Sequence, residues 1–339
     1  MGYLLKLRLS APDGSAGSRR SFAAALVLAL VLLYFAFRGV SWAELYQRLR
    51  YARLDVLALV VVAFTCSYFC RGLRWGVLLS AVGRLPTLTV FWATVTGYLG
   101  NSFLPARAGE LIRSAMLARS TGVDVGYVLA TAVTERVLDA GVLVLIGAAA
   151  LAAVGDLPEW LASSMQVMAV AGALGLAALF FAPRLEPLIR VVVGRVPLGT
   201  RRARVDLLVA KFLLGLRSFQ DPARAAKFLG LTAVIWTIDT TAAIVCARGL
   251  DTTLLPQQAA LLIAALGLSS AAPSTPGFVG VYQFVTVSVL ALFGIAQGEA
   301  LAFILVFQGL TYLVTIALGL PGLWRLAASR RVVVARGSA

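Results

Sequence analysis

Few ionisable side chains interrupt the long apolar stretches of this sequence, and those that do fall into two groups. The first is Arg107, Glu110 and Arg113, preceded by Asn101 and Pro105. At ~100° per residue these three charges lie within about 120° of one helix face, and Glu110 is spaced to pair with either arginine at i,i+3. The second group is Glu135, Arg136 and Asp139. Glu135 and Asp139 share a face at i,i+4, so they repel unless an arginine sits between them or one holds a proton, and Arg107 or Arg113 is the expected guanidinium. Two chemistries fit this pattern. One is a buried ion network with a structural task. The other is a polar cavity in which guanidinium groups receive a phosphate, while the carboxylates hold the arginines in place and keep the empty site neutral.

A second polar surface carries no charge. It comprises Ser269, Ser270, Ser274, Thr275, Gly277, Gly280, Tyr282 and Gln283. Closely approaching backbone, hydroxyl groups and a helix amino end could cradle an anion or a headgroup there. Asp239, just after Trp236, is a weaker candidate. Arg71 and Arg74, before Trp75, read as helix-end residues, for which snorkelling to the interface or contact with a headgroup both account, and Arg248 reads the same way. Histidine is absent, which removes the commonest general base and metal ligand. Cys66, Cys70 and Cys246 sit in apolar segments without metal-ligand or disulfide spacing, and are expected to be buried small hydrophobes. No catalytic residue, metal or cofactor is assigned, and no nucleotide-binding G-x-x-x-x-G-K-[ST] motif occurs.

The elements that must position these groups are membrane helices. Of 339 residues, 60% are hydrophobic and 13% charged, with a mean hydropathy of +0.90, which excludes a water-soluble domain. Apolar runs reach the ~20 residues that a helix needs to cross a bilayer. The expected fold class is an all-α polytopic membrane protein with six full transmembrane helices and two re-entrant helical hairpins arranged as an inverted repeat. The crossings are Ser21 to Arg38, Asp55 to Arg71, Gly126 to Val154, Met165 to Ala182, Ala225 to Arg248 and Gln297 to Trp324. The hairpins are 88–122, broken by Pro105 and Gly109, and 256–294, broken by Pro273, Pro276, Gly277 and Gly280. Pairing Pro105 with Pro276 puts Gly109 on Gly280 and, after a shift of about two, Glu135 on Gln308 and Asp139 on Tyr312. Inverted repeats with interrupted helices meeting near the midplane are a transporter architecture; proline-kinked ordinary helices are the alternative. Glu135 to Asp139 would lie ~14–20 Å beyond Gly126, near the membrane centre.

The chain thus divides into a basic amino-terminal tail (1–20), a first repeat (21–154), a second repeat (155–324) containing a basic linker (184–224), and a basic tail (325–339). The first crossing is expected to be an uncleaved anchor. The net charge of +15 is placed as the positive-inside rule places it, with the linker and both termini cytoplasmic and the localisation the cytoplasmic (inner) membrane. The first hairpin then enters from inside and the second from outside. Arg48, Arg50 and Arg53 fall on the outer side and require an interfacial helix. Membrane lipids, anionic phospholipid or polyprenyl-phosphate lipid, are the expected partners; nucleic acid is not. A separate lipid-modifying enzyme could dock on the basic linker, and two copies could associate.

The run Asn101-Ser-Phe-Leu-Pro-Ala-Arg107-Ala-Gly-Glu110-Leu-Ile-Arg113, then Glu135-Arg136-Val-Leu-Asp139, then Pro273-Ser-Thr-Pro-Gly277-Phe-Val-Gly280-Val-Tyr-Gln283 resembles the lysylphosphatidylglycerol synthase transmembrane family. This is the flippase-like domain of the bacterial multiple peptide resistance factor, also found free-standing. Arg71-Gly-Leu-Arg74-Trp75 looks like a further family feature. The resemblance implies movement of an aminoacylated phospholipid, another phospholipid or a polyprenyl-phosphate-linked sugar between leaflets. It does not imply lysyl transfer by this chain, which stops soon after Trp324. Gln283 stands where relatives often carry glutamate and Phe278 where they often carry glycine, which narrows the second hairpin's cavity. A flippase or scramblase is therefore the expected function, with phosphate held by Arg107, Arg113 and Arg136. The alternatives are a membrane-embedded transferase acting on lipid-linked sugar phosphates and a lipid-binding scaffold for a separate synthase.

Overall fold

A computed structural model describes residues 15–104, 107–153, 159–182, 184–187, 191, 202–270 and 275–336. Residues 1–14, Pro105, residues 271–274 with Ser274, and 188–190 and 192–201 of the basic linker lie outside these residues, as does the segment 154–158. All regular elements among the described residues are helical: α1 (Ser15–Phe37), α2 (Trp42–Arg50), α3 (Leu54–Leu79), α4 (Thr87–Phe103), α5 (Ala108–Thr121), α6 (Val125–Ala152), α7 (Glu159–Phe181), α8 (Arg202–Leu216), α9 (Pro222–Arg248), α10 (Pro256–Ser269), α11 (Val281–Ala291) and α12 (Gln297–Arg336).

Local chemistry explains several helix starts. Asp124 accepts from the Tyr127 amide at 2.8 Å to open α6. Asp221 accepts from the amides of Ala223 and Arg224, with Pro222 at the first helical position of α9. Each supplies an acceptor for amides that have no partner within the helix. Gly122, with φ of 76°, closes α5 in the left-handed conformation.

Among the described residues, three helices are long and apolar enough to cross a membrane, at Leu54–Leu79, Pro222–Arg248 and Gln297–Ala328; shorter apolar helices lie at Leu26–Phe37, Ala169–Ala178, Pro256–Ser269 and Pro276–Ala291. α6 has the length, at 28 residues, but carries Glu135, Arg136 and Asp139 near its middle. Their outward sides are apolar, with Leu54, Leu59, Val62, Val234 and Leu320 well exposed, as a lipid-facing surface requires. This is a membrane protein.

α3 runs on past Arg71, the expected end of its crossing, to Leu79. Arg71 and Arg74 consequently lie within the helix and are buried, not snorkelling at its end. α3 packs along α9, and α12 along α4. The 88–122 stretch forms two short helices, α4 and α5, in close contact. Gly100 lies against Gly109, and Gly97 against Arg113, so the two helices run antiparallel. A Cβ on Gly109 would collide with the Gly97 carbonyl and the Asn101 amide, which is why this position has no side chain. α10 and α11 likewise pack on each other.

The register that pairs Pro105 with Pro276 also pairs Arg107 with Phe278, and both have left-handed backbones, with φ of 54° and 62°. Non-glycine residues seldom adopt this conformation. On α2, Arg48 is fixed by an ion pair of 2.7 Å to Glu299 at the start of α12. Of the three cysteines only Cys246 is buried; Cys66 is exposed on the apolar surface of α3, contrary to the expectation that all three are buried.

Candidate functional site

Five arginines and four carboxylates gather between α3, α5, α6 and α9. The innermost layer centres on Arg74, whose side chain is completely buried. Its guanidinium donates to both oxygens of Asp139, at 2.6 and 2.9 Å, and to Glu135 at 2.9 Å. Thr232 of α9 accepts from it at 3.3 Å. Arg113 reaches the other oxygen of Glu135 at 2.9 Å and pairs with Glu110 at 2.5 Å. Trp75 lies under the Arg113 guanidinium, 4.4 Å from ring centre to Cζ, and its indole N–H donates to Thr131. Arg136 bonds Glu110 at 2.9 Å and lies 3.7 Å from Asp139. The result is an alternating chain of charge, Arg74–Glu135–Arg113–Glu110–Arg136–Asp139, that returns to Arg74. Such a ring can exist away from water because each charge faces an opposite one.

The expected i,i+3 pair of Glu110 with Arg113 is present. The guanidinium between Glu135 and Asp139, however, is that of Arg74, not Arg107 or Arg113. The expected common face for Arg107, Glu110 and Arg113 fails as well. Arg107 precedes α5 with a left-handed backbone, so its side chain leaves the helix face and extends to the second hairpin.

Above this ring lies a cavity of about 460 Å³ lined by Arg71, Arg107, Arg136, Asp139 and Asp239, by Asn101, Ser102, Ser270 and Gln308, and by rings including Tyr68, Tyr98, Trp236, Phe278, Tyr282 and Tyr312. The two hairpins meet at its wall. Arg107 donates to the Ser270 hydroxyl at the end of α10 and lies over the Phe278 ring, 5.8 Å from its centre. A Cβ on Gly277 would strike the Tyr312 hydroxyl and the Ser102 carbonyl, so the glycine lets the second hairpin close on the first. Arg71 is held by Asp239 at 2.5 Å, and Ser67 donates to the same carboxylate at 2.7 Å. Arg107 stands apart from the other four because no carboxylate among the described residues lies within ion-pair distance of it; its Nε, like those of Arg74 and Arg113, has no hydrogen-bond partner. A guanidinium left with open donors beside apolar rings is suited to an incoming phosphate oxygen.

Arg71, Asn101, Arg107, Arg136, Asp139 and Gly277 therefore line the cavity. Arg74, Glu110, Arg113 and Glu135 form the layer behind it. The remaining candidates take other roles. Thr275 donates to the Val279 carbonyl, closing its own turn. Gly280 lies against the α1 backbone at Ala29, not on the cavity. Gln283 accepts from the Gly280 amide and donates to Gln308, tying α11 to α12. Ser274 lies outside the described residues. Sequence reasoning missed Tyr68, Tyr98 and Trp236. One available signal was spacing, since Ser67 and Tyr68 lie four and three residues before Arg71, on its helix face.

The lysylphosphatidylglycerol synthase transmembrane-region model matches residues 22–319. The chain belongs to that family. Every element of the site, from Ser67 to Tyr312, falls inside the family region. The chain is also 27% identical over 345 residues to the glycosyltransferase AglD of Haloferax volcanii, covering 91% of this chain and 54% of the relative. It thus spans about half the length of that curated protein.

Proposed function

We propose that this family member moves a phosphate-bearing lipid, a phospholipid or a polyprenyl-phosphate-linked lipid, between the leaflets of the cytoplasmic membrane. The observation that carries the reading is Arg107, a guanidinium with no carboxylate partner among the described residues, placed where the two hairpin tips meet. A cavity of about 460 Å³ accommodates a headgroup; acyl or prenyl chains stay in the bilayer. In this reading the hairpins are re-entrant from opposite sides, both termini are cytoplasmic, and the matched left-handed residues Arg107 and Phe278 mark equivalent tips of two inverted halves. Movement of one half against the other exposes the headgroup alternately to each side. The driving force is the lipid's own gradient or an ion gradient.

The name of the Haloferax relative supports a second reading, a transferase using a lipid-linked sugar phosphate or a platform serving one. Against a catalytic base here, all four carboxylates of the site, Glu110, Glu135, Asp139 and Asp239, are already paired with arginine. Purified protein in liposomes separates these readings. Transport requires accelerated leaflet exchange of a labelled phospholipid or prenyl-phosphate lipid, lost in Arg107→Ala with thermal stability retained. Turnover of a lipid-linked sugar donor without exchange of any lipid would establish the transferase instead.

A further inference from the structure

The charges of the cavity restrict its ligand beyond the presence of phosphate; this step rests on the reading that a lipid headgroup enters there. Three arginines, Arg71, Arg107 and Arg136, and two aspartates, Asp139 and Asp239, line the wall. That leaves one positive charge in excess. The layer behind adds Arg74, Arg113, Glu110 and Glu135, which cancel. The excess is localised as well as counted. Arg71 is committed to Asp239, and Arg136 to Glu110 and Asp139, so the surplus belongs to Arg107.

A site with one surplus positive charge is neutralised by one negative charge. A second negative charge on the ligand would find no unpaired counterion among the lining residues. A positive group on the ligand fares no better. Three rings of the wall already lie beneath guanidinium groups, Tyr98 beneath Arg71 and Arg136, Trp236 beneath Arg71, and Phe278 beneath Arg107, and Tyr68 and Tyr282 are stacked on two of them, Tyr98 and Phe278. The remaining polar wall, with Asn101, Ser102, Ser270, Gln308 and Tyr312, carries no formal charge, which suits an uncharged polyol or sugar. We infer that the cavity between the hairpin tips selects a lipid phosphodiester of single negative charge with an uncharged polar head. Arg107 holds the phosphate, and phosphomonoesters, diphosphates and aminoacylated heads bind less well.

The test uses the full chain in detergent, with binding read as thermal stabilisation over a titration of soluble lipids. The probes are short-chain phosphatidylglycerol and a short prenyl-phosphate-linked hexose, both diesters, against short-chain phosphatidic acid, a prenyl diphosphate and short-chain lysyl-phosphatidylglycerol. At least one diester is expected to bind roughly tenfold or more tightly than the other three probes, and the better diester identifies the lipid source. Arg107→Gln should weaken that diester by roughly tenfold to a hundredfold, the range for one charge-assisted hydrogen bond, and Arg107→Lys should restore most of it. Asp239→Asn, which raises the surplus to two, should shift preference towards the monoester and diphosphate. Equal or tighter binding of phosphatidic acid, diphosphate or lysyl lipid by the unmodified chain overturns the inference, as does undiminished diester binding by a folded Arg107→Gln protein. Leaflet exchange is measured separately. Diester selectivity without exchange of any lipid sinks the transport reading alone, and exchange that favours the diphosphate or the lysyl lipid sinks the selectivity alone.

Discussion

Replacing Arg74 by methionine tests whether the charged ring is balanced as described. The side chain is fully buried and supplies three ionic hydrogen bonds, two to Asp139 and one to Glu135. Without it, Glu135 keeps Arg113 at 2.9 Å, but Asp139 keeps only Arg136 at 3.7 Å. Breaking one side of a buried ionic group costs about 3–5 kcal/mol, because a charge is left without its partner away from water. At about 2 °C per kcal/mol for a large chain, the melting temperature in detergent should fall on the order of 5–10 °C. Arg74→Lys keeps the charge but not the fork, and should cost roughly 1–2 kcal/mol. The decisive variant is the double replacement Arg74→Met with Asp139→Leu, which removes equal and opposite charge and leaves Glu135, Arg113, Glu110 and Arg136 alternating. It should be more stable than either single variant, with a coupling of about 3 kcal/mol in a double-mutant cycle. Additive single costs, or a neutral Arg74→Met, would refute the charge-balance argument.

Gly109→Ala should prevent α4 and α5 from closing, read as loss of a monodisperse peak in size-exclusion chromatography. Gly76→Ala in α3, where a Cβ meets nothing within 4 Å, should raise the melting temperature slightly, since alanine favours a helix by ~0.5–1 kcal/mol. Arg48→Ala breaks a pair whose side chains are 23% and 26% exposed; it should cost at most about 1 kcal/mol and leave lipid exchange in liposomes unaltered. Phe278→Gly relieves a left-handed non-glycine position and removes the ring beneath Arg107, so exchange assays across a headgroup series should show bulkier heads admitted. An exchange profile identical to that of the unmodified protein would count against Phe278 as a wall of the site.

Much of this arrangement was legible because ionisable residues are costly inside apolar spans, and so stand out. Glu110, Arg113, Glu135, Arg136 and Asp139 were all marked by that cost. Their partners were harder to read. Arg71 and Arg74 occur where the apolar run of α3 first weakens, a pattern that a helix end shares. Only the packing of α3 against α6 and α9 places Asp139 and Asp239 within reach of them. Arg107 misled for a different reason. Helical spacing put it on a face with Glu110, whereas the chain turns left-handed at that residue without the glycine or asparagine that usually signals it. Most of the aromatic wall was harder to read: Tyr98 and Trp236 sit in apolar spans like rings that merely fill a core, and only Tyr68, on the helix face of Arg71, and Tyr282, beside Gln283, carried a signal.

The most direct measurement is an experimental structure of the protein purified with its native lipid. The account requires a headgroup phosphate within hydrogen-bonding reach of the Arg107 guanidinium, between Ser102, Ser270 and Phe278, with the lipid's chains outside the helices. Phosphates confined to the outer rim of the helices, with Arg107 bound instead to a protein carboxylate, would contradict it.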